Sequence, residues 1–189
     1  MSGGPDAEAD AAERTVDDRL RDSRRVFFAL WPDADTRARL ARATKDAVSR
    51  SGGRPIAKDR FHVTVAFLGN LTPTGLEIAS AVPPISVGAF ALVLDTVGVF
   101  AASRTLWLGA RSVPPALIEL ERRLWEALTP KGFIREERIY LPHVTLARRA
   151  RPVEAQIDPV EWPVGELALV ESLPIGRNVH YEPLRSWPL

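Results

Sequence analysis

Two copies of one tripeptide carry the side chains best suited to chemistry. His62-Val63-Thr64 stands inside Arg60-Phe61-His62-Val63-Thr64-Val65-Ala66-Phe67-Leu68-Gly69, and His143-Val144-Thr145 inside Leu141-Pro142-His143-Val144-Thr145-Leu146-Ala147-Arg148. The chain has three histidines, so two of the three open the same motif. An imidazole titrates near neutral pH. A pair of them can divide one displacement between a neutral ring that takes a proton and a cationic ring that gives one, each transfer contributing roughly 10²–10⁴-fold. Thr64 and Thr145 would set hydroxyl donors two residues further along the same face. Arg148, just past the second copy, would supply charge to an anion held between the rings. Taken singly, a histidine off the core face is ordinarily a surface group with no chemistry; the repetition argues for a shared site.

The flanking pattern says what must position these groups. Phe61, Val63, Val65 and Phe67 alternate with His62, Thr64 and Ala66, and Val144 and Leu146 alternate with His143, Thr145 and Ala147, as in half-buried strands. Strict alternation puts each histidine and its threonine on the face away from the core. Ahead of the first copy lies a β-rich run, Arg24 to Trp31, stopped by Pro32. A helical pattern follows through Leu40, Ala41, Thr44, Ala47 and Val48, with Asp33 or Asp35 as cap and Gly52-Gly53 as stop. Ahead of the second copy lies the strand Thr105 to Gly109. Its helix opens at Pro114-Pro115, shows the stripe Leu117, Leu120, Leu124, Trp125 and Leu128, and ends at Pro130-Lys131-Gly132. Strand with Trp, helix, and His-Val-Thr strand thus occur twice, which reads as an internal duplication. A weak helix is expected from Thr72 to Ala81. A strand region runs from Phe90 to Phe100, interrupted at Asp95 to Gly98, and further strands are expected over Val164 to Val170 and Asn178 to Leu184.

Length and composition bound the rest. One core, or two small lobes sharing one, suits 189 residues. Residues 1–23 carry seven acids and three bases and read as a disordered acidic tail, leaving 22 bases against 17 acids for residues 24–189, taken as one domain. The tail is therefore −4 and the body +5, a balance compatible with a phosphate-bearing substrate and equally with a solvated surface. Cysteine is absent, which excludes disulfides, thiolate metal sites and a Cys nucleophile, and suits a reducing cytoplasm. The longest apolar run is broken by Pro83-Pro84, and the acidic N-terminus lacks the apolar region of a secretory signal, so a soluble, cytoplasmic monomer is expected. No His-Glu-x-x-His spacing, Gly-x-Ser-x-Gly elbow or glycine-rich phosphate loop is present. Metal-free displacement at phosphorus remains.

With those residues in hand, the chain resembles the 2H phosphoesterase superfamily. Its flanks, Phe27-Phe28-Ala29-Leu30-Trp31-Pro32, Thr105-Leu106-Trp107-Leu108-Gly109 and Pro142-His143-Val144-Thr145-Leu146-Ala147-Arg148, look like those of the bacterial RNA 2′,3′-cyclic phosphodiesterases, also called 2′-5′ RNA ligases. The resemblance covers residues 24–189. It implies a bilobal α+β fold with two antiparallel sheets related by a pseudo-two-fold around a central cleft, helices outside, and neither metal nor cofactor. It also implies opening of an RNA-terminal 2′,3′-cyclic phosphate to a 2′-phosphomonoester, with reversible 2′-5′ joining. By matching positions it implies a catalytic set of His62 (general acid), His143 (general base), Thr64 and Thr145, with Arg148 on the phosphate. Arg149 and Arg151 are bases it leaves without a role, and His180 is read as structural or surface. The competing readings are a 2H enzyme acting on an ADP-ribose derivative or a cyclic nucleotide, and a nucleotide- or RNA-binding module without chemistry.

Overall fold

The computed structural model describes residues 23–176 and 178–189, so the expected acidic tail lies, Ser23 apart, outside the described residues. The chain runs β1 (Arg24–Leu30), α1 (Ala34–Ser51), β2 (Arg54–Pro55), β3 (Val63–Leu71), α2 (Pro73–Ser80), β4 (Phe90–Leu94), β5 (Thr96–Phe100), β6 (Thr105–Gly109), α3 (Pro115–Leu128), β7 (His143–Arg148), β8 (Val160–Val164), β9 (Glu166–Ile175) and β10 (Asn178–Pro188). Single 3₁₀ turns precede β3 and follow α3. Among the described residues no helix is long and apolar enough to cross a membrane.

All the pairings are antiparallel. One sheet runs β10-β9-β1-β3-β7-β6-β5, with β2 also on β7, and a second holds β4 and β8. The large sheet divides at its middle, where β3 and β7 meet through one pair, Val63 with Val144. On one side of that seam stands β9-β1-β3 and on the other β5-β6-β7, so the strand order is mirrored as a two-fold would require. Each half takes its helix from the same connection, α1 between β1 and β3 and α3 between β6 and β7. The expected α+β architecture with paired halves is what the chain adopts.

Local chemistry explains the helix limits. Asp33 accepts a hydrogen bond from the Thr36 amide at 2.6 Å and so caps α1, which ends where Gly52 turns left-handed at φ 60°. Thr72 caps α2, accepting from the Gly75 amide. In α3 the stripe Leu117, Leu120, Leu124 and Leu128 is fully buried and Trp125 nearly so. Each such side chain stabilises by roughly 1.5–3 kcal/mol, whereas the exposed ion pairs of Glu119 with Arg122 and Arg123 contribute about 0–1 kcal/mol. Packing of the stripe onto the sheet therefore holds this helix. Leu40 and Ala47 of α1, the α3 stripe, and Leu92, Leu94, Val160, Trp162 and Val164 of the small sheet enter one core with Val26, Phe28, Leu30, Val63, Leu106, Leu108 and Val144.

Three expected boundaries change. The run Phe90 to Phe100 breaks at Asp95 alone, because β4 belongs to the small sheet and β5 to the large one. The Asp95 carboxylate accepts from the Arg111 amide as the chain crosses between sheets. The strand expected over Val164 to Val170 is in fact two, β8 and β9, divided at Gly165 for the same reason. β10 extends past Leu184 to Pro188, since Trp187 pairs with Leu167 and packs against Phe28.

Candidate active site

Strict alternation fails inside both motifs, at the same place. Along β1 and β3, Leu30 faces Val63 and Ala29 faces Thr64, but Phe28 then faces Ala66, leaving Val65 as an extra residue. Along β6 and β7, Leu108 faces Val144 and Trp107 faces Thr145, but Leu106 then faces Ala147, leaving Leu146 extra. A one-residue bulge flips the parity of everything beyond it. Ala66 and Ala147, expected beside the histidines, consequently turn to the core and are 2% and 0% exposed. Phe67, expected in the core, turns to the other face, packing with Phe27, Ala29, Ala168 and Val170. Arg148 turns the same way. Under strict alternation its guanidinium would enter the core; with the bulge it is exposed, and Nη1 donates to the Thr105 hydroxyl at 3.0 Å.

The register also corrects one detail of the duplication. Gly109 pairs with His143 and Trp107 with Thr145, so Trp107 matches Ala29 of the first half, and Trp31 matches Gly109. The two tryptophans are not equivalent positions, yet both share the face of the histidines.

The imidazoles are held alike. His62 Nδ1 lies 2.8 Å from the Arg60 carbonyl, and His143 Nδ1 lies 2.8 Å from the Leu141 carbonyl. A carbonyl only accepts, so Nδ1 carries the hydrogen in both rings and each neutral ring keeps its lone pair on Nε2. Aromatic rings fix the planes. Trp31 stacks on His62 at 5.4 Å and 7°, Phe27 lies 5.0 Å away, and Tyr181 meets the ring edge-on at 5.0 Å. Phe100 meets His143 at 4.9 Å and Trp107 at 6.4 Å. These aromatic partners come from β1 and the residue that follows it, and from β5, β6 and β10; the two tryptophans stand in the repeated pattern, whereas nothing in the local sequence around either motif announces Phe27, Phe100 or Tyr181. Phe27 sits in a run buried on both faces, where alternation carries no signal.

Burial among these rings pushes His62 down to about 4, against the pull of the Arg60 carbonyl, and the charges of His143 and Arg148 push the same way. His143 is lowered too, chiefly by burial, with the Leu141 carbonyl opposing and Arg138 and Arg148 adding to the fall. The Arg148 charge thus adds to the lowering of both imidazoles. Both rings are neutral in the free protein at pH 7, and an anion between them would raise both.

Thr64 and Thr145 face the same way as the histidines and are part-buried, and among the described residues their hydroxyls have no protein partner. Where the two halves diverge, the Tyr140 hydroxyl donates to the Thr64 carbonyl at 3.2 Å, standing in for a backbone ladder that the single Val63–Val144 pair does not continue. Beside it a cavity of about 350 Å³ opens against Thr64, Phe67, Phe100, Tyr140 and His143, with Glu121 and Arg135 paired at 2.9 Å on its far wall. His180 is exposed on β10, away from this assembly, while its neighbour Tyr181 belongs to it. Among the described residues no group of three or more His, Cys, Asp or Glu is placed to hold a metal ion.

Comparison with known proteins agrees with the geometry. A family model described as the 2′-5′ RNA ligase superfamily matches residues 30–174. The chain is 31% identical to a protein of Escherichia coli (strain K12) named RNA 2′,3′-cyclic phosphodiesterase, over 90% of this chain and 99% of that one. A crystal structure of a phosphoesterase superposes with a TM-score of 0.82 at 30% identity, covering 88% of this chain and 98% of the other. E. coli LigT complexed with 3′-AMP superposes at 0.76 with 31% identity and the same coverage. The mirrored halves, the paired imidazoles and these matches across most of the chain have one reading: this chain belongs to the 2′-5′ RNA ligase superfamily.

Proposed function

We propose that this enzyme hydrolyses the 2′,3′-cyclic phosphate at an RNA end to a 2′-phosphomonoester. The observation that carries the reading is the pair of imidazoles in one tautomer, each presenting Nε2, with the Arg148 charge acting on both. The names of the relatives support the substrate class.

His143 Nε2 takes a proton from water as the water oxygen bonds to phosphorus. The P–O3′ bond breaks on the opposite side, and His62 Nε2–H gives its proton to the departing 3′-oxygen. The product keeps phosphate on O2′ and gains a 3′-hydroxyl; His143 leaves the step protonated and His62 neutral, and proton exchange with solvent restores both. Thr64, Thr145 and Arg148 hold the non-bridging oxygens, where negative charge grows. His62 must enter as imidazolium, yet burial holds it near 4 in the free chain. The bound phosphate monoanion supplies the favourable charge that restores its proton, so substrate binding itself arms the acid. With a 5′-hydroxyl end in place of water as the nucleophile, the same displacement joins RNA through a 2′-5′ bond, and its reverse, attack of the 3′-oxygen on that bond, re-forms the cyclic phosphate and releases the 5′-hydroxyl.

The test is to offer an oligoribonucleotide bearing a 2′,3′-cyclic end, in EDTA, and identify the product. A 2′-phosphate formed at undiminished rate is expected, since two imidazoles and a guanidinium suffice for the proton and charge work. A 3′-phosphate product would refute the assignment of leaving group, and no turnover alongside rapid opening of a cyclic ADP-ribose phosphate would refute the substrate class.

A further inference from the structure

Beyond the reacting phosphate lies a set of arginines to which the mechanism gives no work. Arg149 follows Arg148 at the end of β7, and Arg104 ends the β5–β6 turn beside it. Both take left-handed backbone conformations, φ 57° and 50°, that non-glycine residues adopt at a cost of about 1–2 kcal/mol each. They are clasped to one another. The Ala150 amide donates to the Arg104 carbonyl at 2.8 Å, and Arg104 Nη2 donates to the Arg149 carbonyl at 3.3 Å. The clasp is continuous with the site through Arg148, whose guanidinium reaches Thr105, the residue after Arg104. Phe100, at the foot of the same turn, touches His143.

Charge separates this side of the cleft from the other. Around the cavity, Arg135 is paired with Glu121 and Arg138 with Glu136, so those cations are spent within the protein. Arg104, Arg148 and Arg149 are exposed, and among the described residues none is paired with a carboxylate. A line of unpaired guanidiniums beside an aromatic ring is the arrangement that tracks a single-stranded nucleic acid backbone. A 2′,3′-cyclic phosphate ends a strand on its 3′ side, so every other phosphate of the substrate lies in the 5′ direction and needs a path away from the histidines.

We infer that the 5′ part of the RNA strand leaves the site over Arg148 and lies on Arg104 and Arg149, which hold the phosphates of the preceding nucleotides. The inference rests on the proposed function, and makes this enzyme one that prefers oligonucleotide ends to free cyclic nucleotides. Both residues with left-handed backbone are exposed, and their clasp holds them next to the exposed Arg148.

The experiment compares a nucleoside 2′,3′-cyclic monophosphate with a hexaribonucleotide ending in the same group, across a KCl series. It uses wild type, Arg104→Asn, Arg149→Asn and the double variant, asparagine being tolerated in the left-handed region. The ratio of kcat/KM for the hexamer to that for the mononucleotide should fall about tenfold in the double variant at low salt. The slope of log(kcat/KM) against log[KCl] for the hexamer should flatten by about 0.7 per charge removed. Arg149→Lys should keep most of the wild-type ratio. In parallel, anisotropy of a 5′-labelled hexamer ending in a 2′-phosphate reads binding without chemistry and should weaken by a similar factor. An unchanged ratio, equal losses on both substrates, or binding indifferent to the two arginines would overturn the strand path. Should wild type turn over neither substrate while hexamer binding still depends on Arg104 and Arg149, the path stands and the proposed reaction fails.

Discussion

Arg148→Gln separates charge from packing more cleanly than any other change at the site. Glutamine keeps most of the aliphatic stem and a neutral amide while the positive charge, and the Nη1 donor to the Thr105 hydroxyl, disappear. The displacement places more negative charge on the non-bridging oxygens than the substrate carries, and loss of one preorganised donor at such a position costs about 2.7–4 kcal/mol, or 10²–10³ in kcat. A second consequence follows from the same charge. Burial holds both imidazoles below their ordinary range and the Arg148 charge adds to it, so removing that charge must raise both, moving both limbs of the kcat/KM profile to higher pH. Burial is the larger cause for His62 and remains, so its limb rises without regaining the ordinary value of about 6.5. Stability should barely change, because an exposed side chain contributes within about 0.5 kcal/mol, or about 1–2 °C in Tm for a chain of this length. The assay is single-turnover opening of a cyclic-phosphate oligonucleotide from pH 4 to 9, with thermal unfolding on the same samples. A kcat within threefold of wild type, or a large loss with limbs unmoved or shifted to lower pH, would refute the role given to this guanidinium at the two imidazoles.

His62→Ala and His143→Ala should each lower kcat by roughly 10²–10⁴ with the fold retained in far-UV circular dichroism. Their combination should be little worse than either, as groups serving one step are not additive; additive losses would separate them. Acid should destabilise the wild type. The unfolded chain protonates His62 near 6.5 and the folded chain near 4, so stability is lost as pH falls through that window, by about 3 kcal/mol at most. His143 adds the same sign. Urea unfolding at pH 7 and 4.5 should show a smaller acid penalty in His62→Gln, and a wild type that gains stability on acidification would contradict the buried neutral ring. Gly98→Ala tests the backing of His143. A Cβ there would meet the Trp107 indole at 2.2 Å, so the ring must move, at roughly 1–3 kcal/mol. Tryptophan emission and kcat should change together, and a variant of unchanged kcat would show that Trp107 does not position the histidine.

Much of the site could be read from local pattern. Period two within each motif set histidine and threonine on one face, because parity over three residues needs no knowledge of the neighbouring strand. The α3 stripe and the Asp33 cap were equally local, and the repeated order of strand, helix and strand announced the paired halves. Parity fails once a neighbour intervenes. Val65 and Leu146 look like any other strand residue, and only the register with β1 and β6 makes them extra.

What the sequence determined by itself, therefore, is the histidine pair proposed to react, the face it occupies and the duplication of its motif, since each is written in spacings of a few residues. What only the tertiary structure decided is the environment that gives those rings their chemistry. The bulges turn Arg148 and Phe67 into the cleft. Rings from four strands enclose His62 and His143 and lower them, and the Arg104–Arg149 clasp extends the positive edge. Each of these joins residues separated by tens of positions, and such contacts are fixed by which strands pair and in what register, a choice made by the packing of the whole core rather than by any one stretch of chain.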